Sequence, residues 1–194
     1  GYMIPEASRT ARGTNIVNIL PLEEGEKVTA MLLLREFQED RYLMMVTRNG
    51  TVKRLKLTEI HTARKAGIRA LSLEEGDELI SVSITDGNDS IILGSHKGMA
   101  ICFHESDVRP MGRDAAGVRG MKLEEGDYVV GAEIAKEGAC LLTVTENGYG
   151  KRTAVEDYMR SGEDGGQRQP QKRGGKGLKN YSITQKTGLV AGVR

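Results

Sequence analysis

A repeat of about fifty residues constrains this chain more than any other feature, because a period of that size dictates an architecture of equal units packed side by side. The tetrads Leu22-Glu23-Glu24-Gly25, Leu73-Glu74-Glu75-Gly76 and Leu123-Glu124-Glu125-Gly126 recur at spacings of 51 and 50 residues. Each is followed by an acid and then apolar residues, as in Glu26-Lys27-Val28, Asp77-Glu78-Leu79-Ile80 and Asp127-Tyr128-Val129-Val130. A second landmark, Thr47-Arg48-Asn49-Gly50, Ser95-His96-Lys97-Gly98 and Thr145-Glu146-Asn147-Gly148, spaces its glycines by 48 and 50. Two independent markers share one period.

Each landmark glycine separates two strand-type runs, such as 42–47 and 51–57, 90–94 and 99–103. Asn-Gly between such runs signals a hairpin, here expected to turn through type I′, which needs positive φ at both central residues. Met99, Ile101 and Phe103 alternate to one face. The reading is an all-β chain with four short strands per repeat, the acidic tetrad forming the turn between the first two. Leu34 to Asp40 and Ala154 to Tyr158 amount at most to short helical turns. The expected units are 1–8 as the end of a preceding blade, then 9–60, 61–108, 109–158 and an incomplete 159–194. In the last unit Gly177 to Ile183 matches Gly117 to Leu123. The array reads as cut from a longer one, with unpaired strand edges at both ends.

At 194 residues and 38% hydrophobic the chain can bury a core. Its 28 Lys and Arg against 27 Asp and Glu leave a net charge of +1, so any nucleic-acid binding has to come from where the charges lie. No apolar run approaches a membrane span and residues 1–5 lack a signal-peptide pattern, which gives a soluble cytoplasmic protein as the expectation. Cys102 and Cys140 sit in apolar strand-like runs and read as buried thiols. His61, His96 and His104 show no metal spacing with them.

The chemistry is concentrated in Gln171-Lys172-Arg173-Gly174-Gly175-Lys176-Gly177. Its glycines let the backbone approach a phosphate closely while Arg173 and Lys176 supply charge beside bare N–H groups. An Arg three or four places before a Gly recurs at Arg9 to Gly13, with Arg12 between, at Arg64-Lys65-Ala66-Gly67 and at Arg113 to Gly117. Lys53-Arg54 and Lys151-Arg152 follow the hairpin glycine by three and four residues. With repeats stacked radially, the acidic tetrads are expected on one rim and these cations on another. The polar, Gly-rich insertion 161–171 is expected to be mobile.

With the repeat, the Asn147 to Thr153 strand, Gly117-Val118-Arg119-Gly120 and Gln171 to Gly177 in place, the chain resembles the C-terminal domain of bacterial DNA gyrase A from Tyr2 to Val193. The heptad resembles the gyrase box, Gln-Arg-Arg-Gly-Gly-Lys-Gly, with Lys172 for an Arg. The resemblance implies a β-pinwheel, a propeller-like ring whose blades exchange a strand, that wraps duplex DNA on a basic perimeter without cofactor or metal. With the heptad and Lys179, the recurring Arg-Gly loops put Arg9, Arg12, Arg64, Lys65, Arg113 and Arg119 forward as DNA contacts, while Lys53-Arg54 and Lys151-Arg152 read equally as an exposed strand face or as DNA contacts. The resemblance also implies a nucleoid-associated parent, an ATP-hydrolysing type IIA topoisomerase in which this module, itself not catalytic, works with the gyrase A cleavage core and gyrase B. In the family the principal box belongs to the first blade, whereas here the heptad follows three repeats, so principal box and secondary blade copy both stay open.

Enzymatic readings fail on residues. A P-loop ending at Lys176 finds Pro170 and Gly177 where Gly and Ser or Thr are needed, and one ending at Lys151 finds Thr145 and Arg152. Arg41-Tyr42 matches the topoisomerase nucleophile dipeptide only by chance, since Tyr42 opens an apolar strand. No duplex-reading helix is expected, and 4% aromatic residues without Trp leave little for single-strand stacking. The rivals are a propeller-like protein scaffold, which Trp-free glycine and cation loops suit poorly, and the related domain of topoisomerase IV, which presents a DNA segment without wrapping it.

Overall fold

The computed structural model describes residues 5–62, 67–162 and 166–194. Among these residues the ordered elements are eleven strands and four single-turn 3-10 helices. The strands are β1 (Tyr42–Thr47), β2 (Thr51–Lys56), β3 (Leu79–Thr85), β4 (Ser90–Ser95), β5 (Met99–His104), β6 (Val118–Arg119), β7 (Val129–Ala135), β8 (Cys140–Thr145), β9 (Gly150–Ala154), β10 (Leu178–Lys179) and β11 (Val190–Val193). They form three antiparallel sheets in the orders β3-β1-β2-β6, β7-β4-β5-β10 and β11-β8-β9.

Each sheet is built on one hairpin, and the glycine landmark makes it. Gly50 donates to the Thr47 carbonyl at 3.0 Å, Gly98 to Ser95 at 3.1 Å and Gly148 to Thr145 at 2.9 Å. These glycines have φ of 79°, 83° and 81°, while no described non-glycine residue has positive φ. The turns are therefore three-residue loops ending in a left-handed glycine, and the type I′ expectation is corrected. Only the final position needs positive φ, which is why Lys97-Gly98 serves as well as Asn49-Gly50.

The other strands of each sheet come from later in the chain. In the first sheet β1 pairs with β3, placing Tyr42 opposite Thr85, and β2 pairs with β6, placing Val52 opposite Val118. The second sheet repeats this, with Ile91 opposite Ile134 and Ala100 opposite Leu178. A sheet thus draws on three successive sequence units, and the acidic tetrad at 123–126 carries the chain from β6 of the first sheet to β7 of the second. Four strands per unit are met, among the described residues, only in 109–158. Among the described residues 9–60 contributes β1 and β2 alone, and Val28 to Leu33, which aligns with β3, forms no strand and leaves Met31 88% exposed.

The sheets pack face on face. Met44, Val46 and Val52 of the first meet Ile91, Leu93, Ile101 and Phe103 of the second, and Ile92, Ala100 and Cys102 on the second sheet's other face meet Leu141 and Tyr158. The third sheet has one open face, so β8 alternates, with Leu141 and Thr143 buried while Leu142 and Val144 are exposed. Cys140 lies on that open face and is exposed, which corrects its reading as buried; Cys102 is buried. At the inner edge the Ser81 hydroxyl of β3 donates to Ala132 of β7 at 3.1 Å, and Gly131 of β7 lies against Val193 of β11. Strands β3, β7 and β11 therefore meet at the hub, and β6 and β10 mark the outer edge.

Candidate nucleic-acid interface

The outer edge is where the Arg-x-x-x-Gly loops dock, and two of them dock identically. Met111 donates to Arg54 O at 2.8 Å and Gln171 to Cys102 O at 2.7 Å; Gly120 donates to Gly50 O and Asn180 to Gly98 O, both at 2.8 Å. Residues 111–120 therefore sit on β2 as 171–180 sit on β5. The glycine closing each loop is pressed against the strand below. A Cβ on Gly177, at φ 79°, would lie 2.2 Å from Ala100 O, and one on Gly117 2.8 Å from Val52 O. No side chain fits either place.

Within 171–177 the residues divide into anchors and exposed cations. Gln171 is buried and its amide donates to Tyr158 O at 2.8 Å. Arg173, half-buried, donates from Nε to Asp107 O at 3.0 Å and from Nη1 to Arg119 O at 2.7 Å, and its backbone N–H reaches the Asp107 carboxylate at 3.3 Å. Gly174 donates to Gly120 O and Lys122 to Gly175 O, both at 2.8 Å. The loop thereby ties the second sheet to the strand that completes the first. Lys172, Lys176 and Lys179 remain exposed, as do Arg113, Arg119, Arg9 and Arg12. Lys122 is an exposed cation beside the loop that no repeated motif marks, because the matching positions Pro21, Ser72 and Ser182 are uncharged.

Two expected contacts are corrected. Lys53 is fully buried and its ammonium donates to Arg113 O at 2.6 Å and Ala115 O at 2.7 Å. Burial lowers its pKa, with Asp114 and Glu59 pulling the other way. Its role is to pin the Arg113 loop from beneath. Arg54 is 7% exposed and donates to the buried Glu105 carboxylate at 3.3 Å, with its guanidinium 4.4 Å from the Tyr42 ring centre. Neither side chain is free to meet a phosphate. Lys151 and Arg152, at the corresponding places in the third sheet, are exposed, Lys151 donating to Asn180 O at 2.5 Å. Arg64 and Lys65 lie outside the described residues.

The separation of acids from cations is corrected too. Lys176 lies 3.5 Å from the Glu124 carboxylate, so a tetrad acid stands beside the loop. The acid after the tetrad has a structural use: Asp77 accepts from Asn49 N and Asp127 from Lys97 N, each at 2.9 Å, capping the neighbouring hairpin turn. The insertion 161–171, expected to be mobile, is held at Arg168 and Gln169, two of its described residues. Arg160 and Gln169 form an antiparallel bridge, and Arg168 donates to Asp157 at 2.9 Å.

Comparison with known proteins agrees with this architecture. The family model described as DNA gyrase C-terminal domain, beta-propeller, matches residues 1–35, 41–86, 89–136 and 141–163. The chain belongs to this DNA gyrase C-terminal domain family. It is 46% identical over 191 residues to the DNA gyrase A protein of Salmonella typhimurium, covering 98% of this chain and 21% of that protein. It is 44% identical over 196 residues to the DNA gyrase A protein of Lawsonia intracellularis, covering all of this chain and 23% of the relative. The chain thus spans about a fifth of the length of these relatives. Among solved structures, the C-terminal domain of DNA topoisomerase IV superimposes with a TM-score of 0.87 at 26% identity, covering 100% of this chain and 58% of that one. The DNA gyrase A C-terminal domain gives 0.76 at 32%, covering 93% and 57%. The fold is the β-pinwheel of that domain, and the strand drawn from a following unit is its defining exchange. No helix among the described residues is long and apolar enough to cross a membrane.

Proposed function

We propose that this chain binds duplex DNA along the outer edge of its sheets and bends it around them, as the wrapping module of a gyrase A protein. The observation that carries the reading is the duplicated loop. Residues 111–120 and 171–180 are held in the same way on successive sheets, so the exposed cations Arg119 and Lys179 stand at equivalent places on two neighbouring outer edges, with Arg113, Lys172 and Lys176 exposed beside them. Cations held at fixed places in this way suit a phosphate backbone, which is recognised by charge and position rather than by base. Bending 20–30 bp costs about 1–6 kcal/mol, and several separated contacts would be needed to offset it. In the complete enzyme such a module would act with the gyrase A cleavage core and gyrase B to introduce negative supercoils at the expense of ATP.

The topoisomerase IV alternative rests on the higher TM-score, while the greater sequence identity and the Gln171 to Gly177 box favour gyrase. Duplex binding followed across salt concentration tests the first step. About six to eight phosphate contacts give a slope of log K on log salt near −5 to −7. A flat response removes the phosphate track. Linking number of plasmid relaxed with saturating protein tests the second, since presentation without wrapping leaves it unchanged.

A further inference from the structure

We propose that Asp107 and Glu124 are built-in competitors of the DNA phosphates, which hold the cations of the 171–177 loop when DNA is absent and set how tightly it binds. This rests on the duplex-binding reading above and adds a control to it. Lys172 Nζ lies 3.2 Å from Asp107 Oδ1, the Arg173 backbone N–H donates to Asp107 Oδ2 at 3.3 Å, and Lys176 Nζ lies 3.5 Å from Glu124 Oε1. Both exposed lysines of the loop therefore already have an anion. A phosphate has to take the place of a carboxylate at each, so binding is an exchange and not a simple addition.

The two carboxylates differ in how readily they yield. The Lys172 side chain is 86% exposed and free to turn outward, but that of Asp107 is 20% exposed and fixed in the 3-10 turn Glu105–Asp107, whose first residue is buried. When Lys172 reaches for DNA, Asp107 stays behind as a standing negative charge within a Debye length of the phosphate path. Glu124, 68% exposed against 61% for Lys176, swings away with little resistance, as expected for a solvated pair. Asp107 is thus the stronger brake and Glu124 the weaker. Each cation released from its internal partner becomes available for counterion exchange, so removing a brake also steepens the salt dependence.

The experiment compares wild type with Asp107→Asn, Glu124→Gln and Glu75→Gln in binding to a 40-bp duplex over a salt series. Glu75 lies in the preceding tetrad, exposed, and its neutralisation changes net charge equally. Asp107→Asn is expected to tighten binding about three- to tenfold and to steepen the salt slope by about 0.9, Glu124→Gln to tighten it about 1.5- to 3-fold, and Glu75→Gln to change it less than either. Equal gains in all three would mean that only net charge matters and would overturn the proposal, as would no gain in the first two. Should Asp107→Asn lower the melting temperature, Glu124→Gln against Glu75→Gln decides alone, because both positions are exposed. Wild-type binding without a gain removes the proposal and leaves the DNA reading standing; absence of binding by every protein removes both.

Discussion

The buried Arg54 and Glu105 pair gives the sharpest test of which cations serve the fold and which serve the surface. The Glu105 carboxylate is fully buried and accepts from Thr85 Oγ1 and Gly87 N at 2.7 Å, Asp89 N at 2.9 Å and Arg54 Nη1 at 3.3 Å. Replacing it with Ala strands two backbone donors, a hydroxyl and a guanidinium whose Nε already has no partner. Removing one member of a buried ion pair costs about 3–5 kcal/mol, and the stranded donors hold the figure at the upper end unless water enters. At about 2–4 °C per kcal/mol for a chain of this size, the midpoint falls by about 6–20 °C. Arg54→Met should cost less than Glu105→Ala, because Glu105 keeps three of its four donors while Glu105→Ala strands all four. Urea and thermal unfolding measure both, and duplex binding at low temperature is measured on the folded Arg54→Met protein, where affinity should stay within about twofold. A cost below about 1 kcal/mol for Glu105→Ala would refute the stability argument. A loss of DNA affinity in folded Arg54→Met as large as that in Lys172→Ala would refute its removal from the interface.

Three further outcomes follow from single residues. Gly177→Ala should destabilise by at least about 1–3 kcal/mol, and by more than Gly117→Ala, since its added methyl would stand 2.2 Å from a carbonyl oxygen instead of 2.8 Å; equal unfolding midpoints would contradict the docking. Burial pushes the Cys102 thiol from 9.0 up to about 12, so its contribution is complete below pH 9 and lost as pH rises toward 12; Cys102→Ala should flatten that alkaline fall in urea midpoints. Lys53 has the opposite sign: burial lowers its pKa from 10.5, the unfolded chain binds the proton better, and stability gained as pH rises toward 10.5 should vanish in Lys53→Met.

What is legible in the sequence is the local part of the fold. Hairpins at Gly50, Gly98 and Gly148 depend on a few adjacent residues, so the glycine and its flanking β-branched and apolar runs are enough to place β1 with β2, β4 with β5 and β8 with β9. Pairing of β1 with β3 and of β2 with β6 spans tens of residues and leaves no periodic mark. A fifty-residue period is the same whether a strand completes its own sheet or the one before it. The turn type is hidden for a related reason: Asn49 tolerates positive φ, but the loop needs it only at Gly50.

The site shows the same limit at the scale of single side chains. Lys53-Arg54 and Lys151-Arg152 stand at equal distances after their hairpin glycines, so no pattern in the chain distinguishes them. Their fates differ because β6 lies over the outer edge of β2 and brings the Arg113 loop down onto Lys53, whereas β9 carries no such strand among the described residues. The identity of a cation therefore does not say whether it faces solvent; the neighbour laid over its strand decides. The loop 171–177 is legible as a polyanion site because glycines and cations are adjacent there, yet its partner Asp107 is 65 residues from Lys172 and belongs to no motif. With a net charge of +1, the chain has almost as many carboxylates as cations to distribute, and affinity for a polyanion depends on which of them the fold sets side by side. Lys176 beside Glu124 and Lys172 beside Asp107 show that it sets some of them at the loop itself.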